Sequence, residues 1–320
     1  MTRTGIDLGS SSVKLVRGEG TPQLTRFSHV GLESWEADGS EADIGRASVA
    51  LKRLLRRLKL NKRRLGRVAV ALTGPEVSFR EVLMPQFTPE ELQSALPFEA
   101  KKHLNIEGME SPILDAQILG PAPAADEEAQ GQMRVLLAAT PKAHRDFPLQ
   151  VLAQAGLEPD VIDIESLAAL NELLAHPAAS QASDQAVALL DIGGRHTRLH
   201  ITSRSGGLLS RRIGSGLSPQ ANEAEVIALL SSLGERILET FTFYRGRYRR
   251  EVQDICLAGG GALVPDIADA LGRIVGRAVE VLDPLAGLSK SVRGYESAAA
   301  MGPRFVTACG LCRWWDTRDV

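Results

Sequence analysis

IDLGSSSVKLV at residues 6–16 and LDIGGRHTRLHI at 190–201 carry one pattern twice. Each runs apolar, Asp, apolar, Gly, then a small or polar turn, and closes on a basic residue followed by Leu. Asp7 matches Asp191, Gly9 matches Gly193, Lys14 matches Arg198 and Leu15 matches Leu199, all at the same spacing of 184 positions. Strand-like runs on either side of a short turn predict a β-hairpin in each copy, with its Asp at the end of the first strand.

Two such hairpins facing each other across a cleft present their turn N–H groups as concave anion sites. Glycine at positions 9, 193 and 194 lets the backbone approach a phosphate with no Cβ in the way. Two carboxylates aimed at one pyrophosphate need a divalent cation between them. Magnesium suits this, because it prefers oxygen ligands, keeps several waters and is held by one or two carboxylates plus phosphate oxygens. Asp7 and Asp191 are thus the candidate metal ligands, and Lys14 is a point charge for the same phosphates. A third element, ICLAGGGALVPDIADALG at 255–272, reads as a strand, a triple glycine and a helix. Gly259, Gly260 and Gly261 are placed to pass flat against an adenosine. Val264 breaks the GxGxxG spacing, which argues against a dinucleotide-binding fold, and the absence of a GxxxxGK[ST] stretch removes the P-loop class.

Outward from these motifs, strand and helix signals alternate, as in an α/β protein. Leu51, Leu54, Leu55 and Leu58 give 47–59 the stripe of an amphipathic helix. A buried-type strand follows at Val68–Leu72. From about Val77 to Gly156 the chain has its own rhythm, read as an inserted subdomain. It comprises a strand at Val77–Leu83, a helix opened by Thr88 and Pro89 with Glu91 completing a capping box, strands near Pro112–Leu119 and Met133–Ala139, and a helix near Lys142–Ala155. Pro97 predicts a kink or break of the first helix near Leu96. HPAASQASDQ at 176–185 has linker composition and marks the boundary between lobes.

The totals narrow the class further. Of 320 residues, 44% are hydrophobic and 24% charged, which predicts a soluble globular chain with a buried core. Lys+Arg 37 against Asp+Glu 39 gives no global attraction to nucleic acid. Three cysteines, no secretory leader pattern and no span of ~20 apolar residues point to a reducing, cytoplasmic setting. Cys309 and Cys312 form a lone CxxC inside an apolar run, which lacks the second pair a structural metal site needs. KRLLRRLKLNKRRLGR at 52–67 is a basic cluster, either a solvated face or a surface drawn to anionic lipid.

The ordered set of two phosphate hairpins, a linking helix and a late triple-glycine turn resembles the actin superfamily. More narrowly, GIDLGSSSVKLV at the start, FREVLMPQFTPEELQSALPFEAKKHL at 79–104 and VIDIESLAALNELL at 161–174 resemble the PilM family, relatives of FtsA. LAGGGALVPDI at 257–267 and MGPRFVTACGLCRW at 301–314 extend the resemblance over nearly the whole chain. It implies an α/β, two-lobed actin-like fold of duplicated ribonuclease H-like units with an FtsA/PilM-type insertion. Residues 1–176 would form the first lobe, with 77–156 inserted and a helix at 298–315 packing back on it. Residues 186–297 would form the second lobe, trimmed around 214–234.

The same resemblance implies ATP and magnesium as cofactors. Asp7 would hold the hydrated metal, and Ser10, Ser11, Ser12 and Lys14 would contact the β- and γ-phosphates. Asp191 would stand opposite as a second metal or water-positioning carboxylate, with Gly193, Gly194 and Thr197 in the second phosphate loop and Gly259 to Gly261 beside adenosine. Glu165 falls where the superfamily orients an attacking water; a helix-N-terminal acid favoured by the dipole is the other reading. The implied function is a cytoplasmic ATP-binding scaffold at the inner face of the inner membrane, in a type IV pilus or related type II secretion platform. Its partner would be the N-terminal cytoplasmic peptide of a PilN-like membrane protein, with at most slow ATP turnover. A small-molecule kinase or phosphatase of the superfamily, and a scaffold of the same fold without nucleotide, are the alternatives.

Overall fold

In the computed structural model the first hairpin forms where the alternation places it. Strand β1 (Thr2–Leu8) runs antiparallel to β2 (Ser12–Glu19), with Asp7 opposite Lys14. The structure describes residues 1–21, 25–74, 76–122, 130–176, 185–203, 206–217 and 221–314. Most of the linker expected at 176–185, along with residues 123–129, Pro75 and Trp315, lies outside these residues.

Strand β3 (Arg26–Ser34) and helix α1 (Ala42–Leu58) follow. The leucine stripe of α1 turns inward, burying Leu51, Leu54, Leu55 and Leu58 against Ile6 and Leu15. After the short α2 (Lys62–Leu65), strand β4 (Arg67–Leu72) pairs in parallel with β1. A separate three-stranded sheet then interrupts the lobe, made of β5 (Ser78–Pro85), β6 (Pro112–Pro121) and β7 (Gln132–Pro141) in the order β5-β7-β6. Helix α3 (Pro89–His103) covers it through Leu92, Leu96 and Ala100. Thr88 and Glu91 cap α3 reciprocally, at 3.2 and 2.8 Å.

Of the kink or break expected near Leu96, the break does not occur. Pro97 sits on the exposed side of a continuous helix. The carbonyl of Gln93, which loses its partner there, belongs to an exposed residue that water can satisfy. A second difference concerns α4 (Lys142–Gln154), expected inside the insertion. It buries Val151 and Leu152 in the core under β1 and α1 instead. Periodicity shows that a helix has an apolar face but not which sheet receives it.

Strand β8 (Val161–Ile164) completes the first sheet beside β4, and α5 (Glu165–Ala175) follows directly. The second half repeats the plan with β9 (Ala186–Ile192), β10 (His196–Thr202) and β11 (Leu209–Ser215). Asp191 stands opposite Arg198, as Asp7 stands opposite Lys14. Helix α6 (Glu223–Tyr248) runs unbroken through Gly234, where an added Cβ would lie 2.3 Å from Ile274 Cγ2. Then come β12 (Val252–Ala258), α7 (Ile267–Val275), β13 (Val279–Val281), the short α8 (Tyr295–Ala298) and α9 (Val306–Cys312).

The two large sheets read β3-β2-β1-β4-β8 and β11-β10-β9-β12-β13. In both, an antiparallel hairpin and its neighbour are joined to two parallel strands. Identical order and direction make this the duplicated, two-lobed actin-like fold, and they set both Asp-bearing strand ends at equivalent places. Helices α5 and α9 fill the space between the sheets, where Leu170, Leu173 and Val306 meet Val187, Leu189 and Leu282. Cys309 and Cys312 are buried free thiols in an adjoining apolar cluster. Burial pushes Cys312 up to about 12 and Cys309 well above its usual range, which leaves the pair unreactive. Among the described residues no helix is long and apolar enough to cross a membrane.

Candidate functional site

The two hairpin turns meet across the cleft. A Cβ built on Gly194 would lie 3.3 Å from Ser10 Oγ and 3.7 Å from Ser11 Oγ, so the glycine of one turn abuts the hydroxyls of the other. The first turn is anchored from behind, since the amides of Trp35 and Ala37 donate to the carbonyls of Ser11 and Ser10 at 3.1 and 3.0 Å. The second is held by Gly193 N–H donating to His196 O at 3.0 Å and by Leu217 N–H donating to Gly193 O at 2.9 Å. Arg195, from the second turn, donates to the carbonyl of Ala37 beside the first.

A cavity of about 630 Å³ opens from this contact. Asp7, Gly9, Ser10, Ser11 and Lys14 line it from the first lobe, with Glu165. Asp191, Gly193, Gly194, Gly259 and Gly260 line it from the second. Its apolar side is made by Leu217, Ala221, Leu263 and Pro265. The remaining three expected residues are placed elsewhere. Ser12 is fully buried and accepts from Arg304 at 2.9 Å. Thr197 is fully buried and donates its hydroxyl to Ser215 O at 2.5 Å. Gly261 packs under the strand end, where a Cβ would meet Ile192 Cγ2 at 2.3 Å. Its neighbour Gly259 has φ +84 and no room for a side chain, because a Cβ would lie 2.4 Å from both Asp191 Oδ1 and Ile192 O.

The charges are arranged unequally in the two lobes. Lys14 Nζ donates to Asp7 Oδ2 at 2.7 Å, and both side chains are nearly buried. Asp7 Oδ1 is buried and has no hydrogen-bond partner among the described residues. Arg198 does not pair with Asp191, which it opposes in register. It reaches across the cleft to Glu165, the first residue of α5, and to Gly74 O at 3.3 Å. Burial, reinforced by the Glu165 carboxylate, pushes Asp191 up to about 7, while Arg198 and Lys14 oppose the shift.

Among the described residues no group of three or more His, Cys, Asp or Glu side chains forms a metal cage. The donor set fits a magnesium ion held by one or two carboxylates and completed by phosphate oxygens and water. The unpartnered Asp7 Oδ1 offers one such ligand, and Asp191 on the same cavity offers the second.

Arg304 is the residue that motif reading missed. It precedes α9, lines the cavity, and donates to Ser11 Oγ at 3.3 Å and Ser12 Oγ at 2.9 Å. The MGPRF stretch containing it carries no spacing that announces a cleft residue; only the return of the chain terminus to the first lobe brings it there.

The Asp191 shift has a measurable consequence in metal-free buffer. A carboxyl raised from about 4 to about 7 binds its proton more tightly folded than unfolded, so stability falls as pH rises through that window. Relative to Asp191→Asn, the native chain will lose roughly 2 kcal/mol between those limits, discounted for partial exposure. Urea titrations of both proteins across pH read the difference; parallel curves would show that the shift is absent.

The sequence profile of the family described as type IV pilus assembly protein PilM matches residues 5–218. Among solved structures, the chain is similar to a protein in a PilM-PilN type IV pilus biogenesis complex. The TM-score is 0.78 and the identity 22%, over 97% of each chain. It also shares its fold with the ethanolamine utilization protein EutJ from Carboxydothermus hydrogenoformans. There the TM-score is 0.52 and the identity 14%, over 98% of this chain and 90% of that one. A diol dehydratase-reactivating factor in nucleotide-free form matches with TM-score 0.52 and 9% identity, over 97% of this chain and 98% of that one. Because the profile spans well over half of the residues and takes in both Asp-bearing hairpins, the chain belongs to the PilM family of type IV pilus assembly proteins.

Proposed function

We propose that this chain is an ATP-binding scaffold of a type IV pilus platform, and that it holds the cytoplasmic N-terminal tail of a PilN-like inner-membrane protein. The observation that carries the nucleotide half is the meeting of two Asp-bearing hairpins at one cavity, in which Asp7 Oδ1 has no hydrogen-bond partner among the described residues. Asp7 and Asp191 would hold magnesium, which when bound would neutralise phosphate charge. Ser10, Ser11, Gly193 and Gly194 would face the phosphates, with Lys14 and Arg304 as flanking cations. The apolar side formed by Leu217, Leu263 and Pro265 beside Gly260 suits a purine base.

A second cavity of about 880 Å³ lies between the insertion, the start of α4 and the second lobe. It shares Gly74, His144, Glu165 and Arg198 with the first. We assign the tail to this cavity, where the Glu165–Arg198 pair it shares with the first would give nucleotide a route to its affinity, provided nucleotide binds one lobe arrangement better. Glu165 is already engaged by Arg198, which favours holding over turnover and weighs against a kinase.

Calorimetry on the full chain tests both halves. Mg-ATP is expected to bind the native chain and to bind Arg304→Gln about tenfold more weakly, a charge-assisted contact having been removed. A synthetic tail peptide is expected to bind in both cases, with an affinity that ATP changes several-fold. No heat at millimolar ATP would remove the nucleotide and leave the scaffold; no peptide binding with or without ATP would remove the scaffold.

A further inference from the structure

The basic stretch at 52–67 holds nine of the chain's 37 Lys and Arg residues and none of its 39 Asp and Glu residues. The remainder therefore carries 28 basic against 39 acidic residues, so a chain of net charge −2 is strongly polarised. The fold concentrates this charge on one surface. While the leucine stripe of α1 is buried, Lys52, Arg53, Arg56 and Arg57 face outward. Lys59 at its end and Lys62, Arg63 and Arg64 on α2 are exposed as well.

Local structure explains only part of this. Arg56 and Arg57 lie in the last turn of α1, where cations suit the helix dipole. Arg57 also pairs with Glu33 at 3.0 Å. Lys62 and Arg63 belong to the single turn of the four-residue α2, too short for a dipole to account for them, and among the described residues neither they nor Lys52 and Arg53 are paired with a carboxylate. Like charges four residues apart, Lys52 with Arg56 and Arg53 with Arg57, work against the helix. The positive field extends beyond the stretch: His29 on β3 is held below its ordinary value by burial first, then by Arg17, Arg293 and Arg64.

We infer that this face of α1 and α2 is a contact surface for the anionic phospholipid headgroups of a membrane. Clustered Lys and Arg on a short exposed helical surface gain by neutralising headgroup charge, each residue adding to the attraction within a Debye length. The stretch has no aromatic residue to stack on bases, which disfavours a single-stranded nucleic acid. The inference stands on the charge distribution alone and is independent of the nucleotide and tail readings.

Co-sedimentation of the full chain with vesicles decides it. Vesicles of phosphatidylcholine mixed with phosphatidylglycerol are expected to retain the protein, and phosphatidylcholine alone is not. Retention should fall steeply as salt rises from about 0.05 to about 0.3 M. The variant Lys52→Gln/Arg53→Gln/Lys62→Gln/Arg63→Gln is expected to bind about 100-fold more weakly or worse, with its thermal midpoint not lowered, because these side chains face solvent and two like-charge pairs are relieved. Equal retention by both vesicle types, none by either, or equal binding by a folded variant would overturn the inference. So would tighter binding of duplex DNA or RNA than of anionic vesicles at the same salt, which would make the face a nucleic-acid surface.

Discussion

Gly310→Val will destabilise this protein by at least about 3 kcal/mol and lower its thermal midpoint by about 5–10 °C. The reason is a crossing of two backbones. A Cβ on Gly310 would lie 1.7 Å from the carbonyl oxygen of Ala168 on α5, and a Cβ on Gly5 in β1 would lie 2.2 Å from Ala308 O on α9. Helix α9 thus rests on α5 and β1 through glycines, with rigid backbone opposite them. Beside the crossing, Arg313 Nε donates to the buried carboxylate of Glu172 at 2.6 Å, a bond that needs the helices at this separation. Displacing α9 would also withdraw Arg304 from the hairpin turn, so the variant should lose nucleotide affinity together with stability. Gly45→Ala, inside α1 with open space around it, is the matched control. It should gain about 0.5–1 kcal/mol, because alanine loses less entropy in a helix. Differential scanning calorimetry of the two variants tests the pair, and equal midpoints would refute the crossing argument.

Asp7→Ala is expected to cost about 3–5 kcal/mol of stability before any nucleotide is added. Lys14 would be left with a nearly buried ammonium and no carboxylate, its side chain being only 11% exposed. Lys14→Met alone should be harmful for the converse reason, since Asp7 would keep a buried charge. The double variant Asp7→Ala/Lys14→Met should recover most of the loss, as buried pairs replaced by apolar residues often do. Chemical denaturation of the three variants gives the coupling directly; additive losses would show that the pair is not what matters. The same reasoning chooses the probe for nucleotide. Asp7→Asn keeps an oxygen for Lys14 while removing the anionic ligand, so it should weaken Mg-ATP at least about tenfold with a smaller loss of stability.

Much of this arrangement is legible in the sequence. The hairpins, the α1 stripe and the capping box at Thr88 and Glu91 are local patterns, set by strand and helix periods and by which side chains reach neighbouring amides. Lys14 and Arg198 hold matching places in the repeat, but their side chains take different partners. Both oppose an Asp in register, but Arg198 has Glu165 within reach across the cleft and takes that partner instead. Thr197 and Ser12 lie at the start of the strands that follow the turns yet point into the lobes, because a hydroxyl next to a turn is satisfied by whichever buried partner is nearest.

The amino-acid order alone therefore determined the two Asp-bearing hairpins, since these follow from steric and hydrophobic rules acting over a few residues. Tertiary packing decided which of those residues face the cavity, that α4 joins the first lobe's core, and that Arg304 meets Ser12 from 292 positions away. Contacts of that kind depend on how distant segments fill shared space, and no short-range pattern encodes them.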